Sequence, residues 1–225
     1  MRVRTRIVVS FVYVLLVVIV ALTMLPAMIA FRWATRPWLQ DLVAAQPLPL
    51  QLVEIVPVAD LTQYWLHRAF HRVPRLWRLH AIHHSSRALD WLAGSRLHLI
   101  DIVVTRGLSF VPLYVFGFAA PAVYAYLVFV SFHAVFIHAN VRLDLRALEW
   151  IVVTPRFHHW HHAAHPEAVD KNFAVHLPWI DRLFGTAYLP PAHWPDIYGI
   201  TGHPVPDGYW RQLAWPLRGE GSRAR

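Results

Sequence analysis

Four apolar stretches limit what this 225-residue chain can fold into. Ile7 to Ala30 is almost uninterrupted, and at about 1.5 Å per residue it reaches across the ~30 Å of a bilayer's hydrocarbon. A second, weaker stretch runs from about Leu48 to Leu66 and is broken by Glu54, Asp60 and Gln63. Two more, Leu97 to Phe118 and Ala119 to His138, meet near Gly117 and Pro121 and read as a helical hairpin. The fold expected is all-α, an integral membrane helical bundle of about four transmembrane helices. Asp101 and Arg106, inside the third stretch, are costly in lipid unless paired or turned inward.

The balance of residues agrees, with 56% hydrophobic and only 15% charged, where soluble domains carry about 25% charged. Arg2, Arg4 and Arg6 ahead of the first stretch, and the small Ala27 and Ala30 near its end, also allow a signal peptide. Its apolar run is longer than the ~7–15 residues of a signal, which favours a transmembrane helix. Arginine and lysine set the orientation: three fall in residues 1–6, six in 67–96 and nine in 142–225, while the outer loop holds only Arg32 and Arg36. The positive-inside rule therefore puts the N-terminus, the middle loop and the C-terminal region in the cytoplasm, the membrane being a cell's inner membrane. The formal net charge of +8 is explained by this topology. No basic run is interleaved with aromatics, so no nucleic-acid partner is expected. The length fits one domain. Residues 1–47 form its N-terminal helix and loop, 48–190 its catalytic part, and 191–225 an irregular cytoplasmic tail that could touch lipid through Trp194, Trp210 and Trp215.

None of the 16 histidines precedes residue 67, and eight of them form three clusters. His67 and His71 make H-x-x-x-H, His80, His83 and His84 make H-x-x-H-H, and His158, His161 and His162 repeat that pattern. Residues three or four apart share a helix face, so each cluster can aim its imidazoles at one point. All three clusters fall on the predicted cytoplasmic side, as a histidine-rich cap on the bundle. His138 could add a ninth ligand, and His133 or His98 could complete the set. His159 lies one residue off the ligand face and is expected to support the ligands from outside.

The chain has no cysteine, so any metal must be held by nitrogen and oxygen. Imidazole suits iron, zinc, copper and nickel alike. Eight to ten histidines exceed the three or so of a catalytic zinc site and suit a dinuclear centre. Two irons would serve oxygen-dependent C–H chemistry, two zincs hydrolysis, and a non-enzymatic metal transporter or store is a third reading. Transport sites usually lie near mid-membrane, whereas these clusters fall outside it. Neither HRAFH nor HAIHH carries the glutamate of a metalloprotease helix, and there is no G-x-S-x-G, P-loop or G-x-G-x-x-G. Electrons for an oxidase would come from a separate donor.

At DLTQYWLHRAFH, LWRLHAIHHSS, WLAGSRLH, IHANVR, TPRFHHWHH and DKNFAVHLPWIDRLFGT the sequence resembles the fatty acid hydroxylase and sterol desaturase superfamily of membrane histidine-box enzymes. The likeness covers roughly residues 55 to 190, and TPRFHHWHH looks most like the branch that includes ether-lipid monooxygenases. The resemblance implies two iron ions, dioxygen as co-substrate and hydroxylation or desaturation of a lipid: fatty acyl, sterol, isoprenoid or ether lipid. It implies an external electron donor, cytochrome b5-like or a ferredoxin with its reductase. By position it carries the iron ligands over to the eight clustered histidines and His138, with His133 and His98 in a region where the family varies. Asp60, Asn140, Asp170 and Asn172 match polar positions expected to orient those imidazoles. Trp65, Phe70 and Trp91 are candidate walls of a lipid pocket.

Overall fold

The computed structural model describes residue 14, residues 35–200 and residues 205–217. The first expected span, Ile7 to Ala30, lies outside the described residues apart from Val14. Among the described residues all regular structure is helical, apart from one isolated bridge between Ala163 and Tyr198. The α-helices are α1 (Pro37–Ala44), α2 (Leu48–Arg72), α3 (Pro74–His84), α4 (Leu99–Phe116), α5 (Ala120–His138), α6 (Pro155–His161), α7 (Pro178–Leu183) and α8 (Tyr209–Ala214).

Proline punctuates the chain. A proline stands at the first or second position of α1, α2, α3, α5, α6 and α7, where its missing N–H costs no helical bond. The sharpest effect is at Val73, which alone separates α2 from α3. Pro74 disfavours helical geometry in the residue before it, and Val73 is extended, at φ −89° and ψ 116°. The chain turns there, and α3 packs back against α2.

The expected hairpin is α4 and α5. Gly117 ends α4 in the left-handed region at φ 82°, which glycine adopts without penalty. A Cβ at Gly117 would also lie 2.5 Å from the Gln40 backbone. That close approach lets the Gln40 amide donate to Tyr114 O at 3.0 Å, satisfying a carbonyl at the end of α4. Gln51 accepts from Ala119 N at 2.9 Å at the start of α5.

The two helices are apolar outside and polar inside. Val103, Leu108 and Val111 on α4, and Val128, Phe132 and Val135 on α5, are exposed, Phe132 at 74%. Asp101, Thr105, Ser109 and His133 are buried. A water-soluble bundle would reverse this pattern. Both helices are long and apolar enough to cross a membrane. Helix α2, the second expected span, is longer than expected at 25 residues, and it is less apolar because Gln51, Glu54, Asp60 and Gln63 lie along it. Ile55, Ala59, Leu113, Val123 and Val130 join α2, α4 and α5 in one core.

Beyond α5 the chain forms a cap over the end of the bundle. Its core joins Tyr64 of α2 to Ile137, Val153, Phe157, Phe173 and Ile180. Buried carboxylates fix the loop before α7. Asp60 accepts from Val175, His176 and Leu177 N at 2.8, 3.1 and 2.6 Å, and Asp181 accepts from Phe173 and Ala174 N, both at 2.8 Å. The segment after residue 190 is not irregular throughout: it contains α8 and the turn Trp215–Leu217. Arg78 of α3 holds it by donating to Trp215 O at 3.1 Å.

Candidate metal centre

The second and third histidine clusters sit on short helices, and the first lies at the end of the long α2. Thr154 caps α6 by accepting from Phe157 N at 3.3 Å, so that His158, His161 and His162 follow on one turn and its end. His67 and His71 lie one turn apart on α2, and the Val73 turn brings His80, His83 and His84 of α3 opposite them. His138 is the last residue of α5.

These nine buried imidazoles converge in two groups. His67, His71, His80, His84 and His161 form one, and His83, His138, His158 and His162 the other, with the ligand atoms of each group within 4.8 Å of one another. The groups adjoin: the rings of His84 and His162 stack at 4.3 Å between centroids.

Hydrogen bonds from outside fix which nitrogen faces inward in four of the nine rings. The Nδ1–H of His67 donates to Phe173 O, and that of His161 to Lys171 O, both at 2.7 Å. His80 Nδ1–H donates to the Asp101 carboxylate at 2.8 Å, and His138 Nδ1–H to Ala134 O at 2.6 Å. His71 Nδ1 lies 3.4 Å from Asp170 Oδ1. The loop can present acceptors at 170, 171 and 173 because Asp170 and Asn172 both adopt left-handed backbone, φ 58°, which Asp and Asn tolerate better than most residues. Asn172 holds that conformation by donating to Phe157 O and Tyr188 O and accepting from Tyr188 N.

The donor set fits metal ions. With Nδ1–H committed, the Nε2 of His67, His80 and His138 are lone pairs. Yet His67 and His80 Nε2 lie 3.1 Å apart, and His138 Nε2 lies 2.9 Å from His158 Nε2 and 3.3 Å from His83 Nε2. The facing lone pairs of His67 and His80 repel unless a cation shares them, and two ligands at ~2.1 Å from one ion sit about 3 Å apart. The Nε2 atoms of His71, His84 and His161 are buried without a hydrogen-bond partner. Burial, reinforced by neighbouring imidazoles, holds His83, His84, His158 and His162 well below the usual histidine range, and burial brings His161 down to about 3. The neutral ring that results is the form that binds metal.

Two expected ligands are not brought in. His98 caps α4, accepting from Ile100 N at Nδ1 while its Nε2–H donates to Leu213 O at 3.0 Å. His133 is turned from both groups, one nitrogen 3.0 Å from Val153 O and the other 3.0 Å from His176 Nδ1. With both ring nitrogens engaged, neither has a lone pair for a metal. Asn140 is exposed just beyond α5 and orients no imidazole. His159 bridges Ala139 O and the Tyr198 hydroxyl, so it holds the peptide next to His138. Asp60 acts through the loop backbone. Asp101 is the partner of His80, a pairing that the sequence signals only as a carboxylate inside an apolar stretch. Gly94, which nothing in the sequence pattern singles out, stands against the same centre: a Cβ there would lie 3.0 Å from His138 Nδ1.

His67, His80, His83, His138 and His158 line one end of a cavity between α2, α4 and α5. Phe70, Phe110, Val130 and Ile137 contribute apolar wall. Of the aromatic walls expected, only Phe70 lines it, and Trp65 and Trp91 are exposed.

The sequence pattern of the fatty acid hydroxylase family matches residues 52–186. Ornithine lipid hydroxylase OlsE of Rhizobium tropici is 33% identical over 79% of this chain and 53% of its own length. Human alkylglycerol monooxygenase is 35% identical over 65% of this chain and 32% of its own length, and zebrafish (Danio rerio) methylsterol monooxygenase 1 is 24% identical over 70% and 52%. The chain thus spans about half the length of the first and about a third of the second. No solved structure matches it.

Proposed function

The chain belongs to the fatty acid hydroxylase family, and on that premise we propose that it is a membrane-bound, oxygen-dependent oxidoreductase that hydroxylates or desaturates a lipid at a pair of irons. The observation that carries this reading is the convergence of nine buried imidazoles in two adjoining groups, five of them lining a cavity between helices with apolar outer faces. A lipid substrate is supported by the names of the relatives, which act on ornithine lipid, alkylglycerol and methylsterol. Residues 48–190 are the catalytic unit in this reading.

His67, His71, His80, His84 and His161 would hold one iron, and His83, His138, His158 and His162 the other. When bound, a pair of irons supplies the electrons and Lewis acidity with which dioxygen is activated toward a C–H bond. The chain's own part is to hold and position. Phe173 O, Lys171 O, Asp101 and Asp170 fix the imidazole orientations and keep each inward nitrogen unprotonated. The apolar walls hold the substrate carbon near the histidines and exclude water. A displacement of about 1 Å can cost a hundredfold in rate, so wall shape decides between hydroxylation and desaturation.

In this reading four helices span the inner membrane, the histidine cap faces the cytoplasm, and a cytochrome b5-like protein or a ferredoxin with its reductase delivers electrons. Metal analysis and Mössbauer spectroscopy on protein expressed with iron-57 test it, together with oxygen-dependent lipid product. Two coupled irons per chain are expected. Two zincs and no iron would replace the oxidase reading with a hydrolase.

A further inference from the structure

We propose that the end of the cavity away from the histidines is a recognition site for an anionic oxygen group on the substrate, with Arg106 as its cation. This deepens the lipid-oxidase reading and rests on it. The cavity has two unlike ends. One carries His67, His80, His83, His138 and His158; the other carries Gln63, Arg106, Ser109, Tyr126, His133 and His176.

The polar end lies deeper along the apolar helices. Arg106 is five residues beyond Asp101 on α4, about 7.5 Å further along the axis, and Tyr126 is twelve residues before His138 on α5, about 18 Å. A hydrocarbon chain alone requires none of these groups at such depth, where an ionisable side chain marks a substrate path or a partner.

The wall around Arg106 is rigid. Val153 O can only accept, so His133 Nε2 donates to it at 3.0 Å. His133 Nδ1 then accepts from His176 Nδ1 at 3.0 Å, and His176 Nε2 accepts from the Tyr126 hydroxyl at 3.1 Å. Gln63 and the Ser109 hydroxyl pair across α2 and α4 at 2.6 Å. The charge of Arg106 reaches this network, since it helps to hold His176 below the usual histidine range, after burial and His133. Arg106 has a partner of its own in the protein, but a guanidinium has five N–H donors and forks readily onto carboxylate or phosphate.

The consequence is regiochemical: the carbon attacked lies at a short, fixed reach from the anionic group, not at an arbitrary point of a long chain.

Binding measured without turnover tests this. Purified, metal-loaded full-length protein is titrated with dodecanoate, dodecyl phosphate, dodecanol and dodecane. At least one of the two anions is expected to bind about tenfold or more tighter than the alcohol and the alkane, as one charge-assisted pair would give. The better of the two identifies carboxylate or phosphate as the group recognised. Arg106→Gln should erase the preference, Arg106→Lys should keep part of it, and Tyr126→Phe should keep it. Equal binding of all four probes, no binding of any, or a preference that survives in folded Arg106→Gln overturns the proposal. Anion preference without oxygen-dependent product would count against the oxidase reading alone, and equal oxidation of dodecane and dodecanoate against the recognition site alone.

Discussion

The five-histidine group and the four-histidine group adjoin and draw on the same helices, but the fold secures them unequally. Four rings of the larger group have a partner at Nδ1: two backbone carbonyls, the Asp101 carboxylate, and Asp170 nearby. In the smaller group His138 has the Ala134 carbonyl, while Nδ1 of His83 and of His158 are buried without a partner. Groups outside the ligand set typically change metal affinity about 10–100-fold. The larger group should therefore hold its metal more tightly, and under chelator the protein should lose metal in two steps, the four-histidine group first. Simultaneous loss of both would break the comparison.

The largest effect is expected from His161→Ala. It removes one ligand of the five-histidine group, which should weaken metal binding there while the four-histidine group is unchanged, and turnover should fall below detection. Metal analysis beside an oxygen-dependent product assay checks it, and retained turnover would count heavily against the oxidase reading. Asp101→Asn should come next, because it keeps the shape beside His80 but removes the charge. Affinity at the five-histidine group should fall about 10–100-fold while the four-histidine group is unchanged. Equal weakening of both would mean that Asp101 serves the fold at large. Gly94→Ala sharpens the other side of the comparison. Its Cβ, 3.0 Å from His138 Nδ1, forces that ring to give by a few tenths of an ångström, so a smaller loss is expected, confined to the four-histidine group.

The smallest effect concerns pH and the metal-free chain. His83, His84, His158, His161 and His162 have folded-state pKa values lowered by burial. Below about pH 6.5 the unfolded chain therefore binds protons that the folded chain refuses. Stability should fall as pH drops from about 6.5 toward the folded values, about 3 for His161, and these groups should contribute no slope above 6.5. Thermal unfolding of chelated protein across this range tests the sign, and stability that rises on acidification would contradict the burial.

Both groups follow a spacing rule legible in the sequence only in part. Histidines four apart share a group: His67 with His71, His80 with His84, and His158 with His162. The histidine three along crosses over, His83 to the smaller group and His161 to the larger. The shared helix face was readable from spacing because it depends on one turn of backbone. The crossing was not, because it depends on where a second helix lies.

The same distinction separates what the residues settle alone from what the tertiary structure decides. The apolar stretches and the prolines determine the α4–α5 hairpin and the starts of most helices, since propensity, chain stiffness and bilayer length act locally. The three clusters likewise point to a metal site built of nitrogen donors, without thiolate. Only the fold decides that His98 becomes a cap, that His133 turns to Val153 and His176, and that Asp101 is the partner of His80. Those outcomes set a side chain against groups many residues away, and a histidine's role follows from which of its two nitrogens finds a partner first.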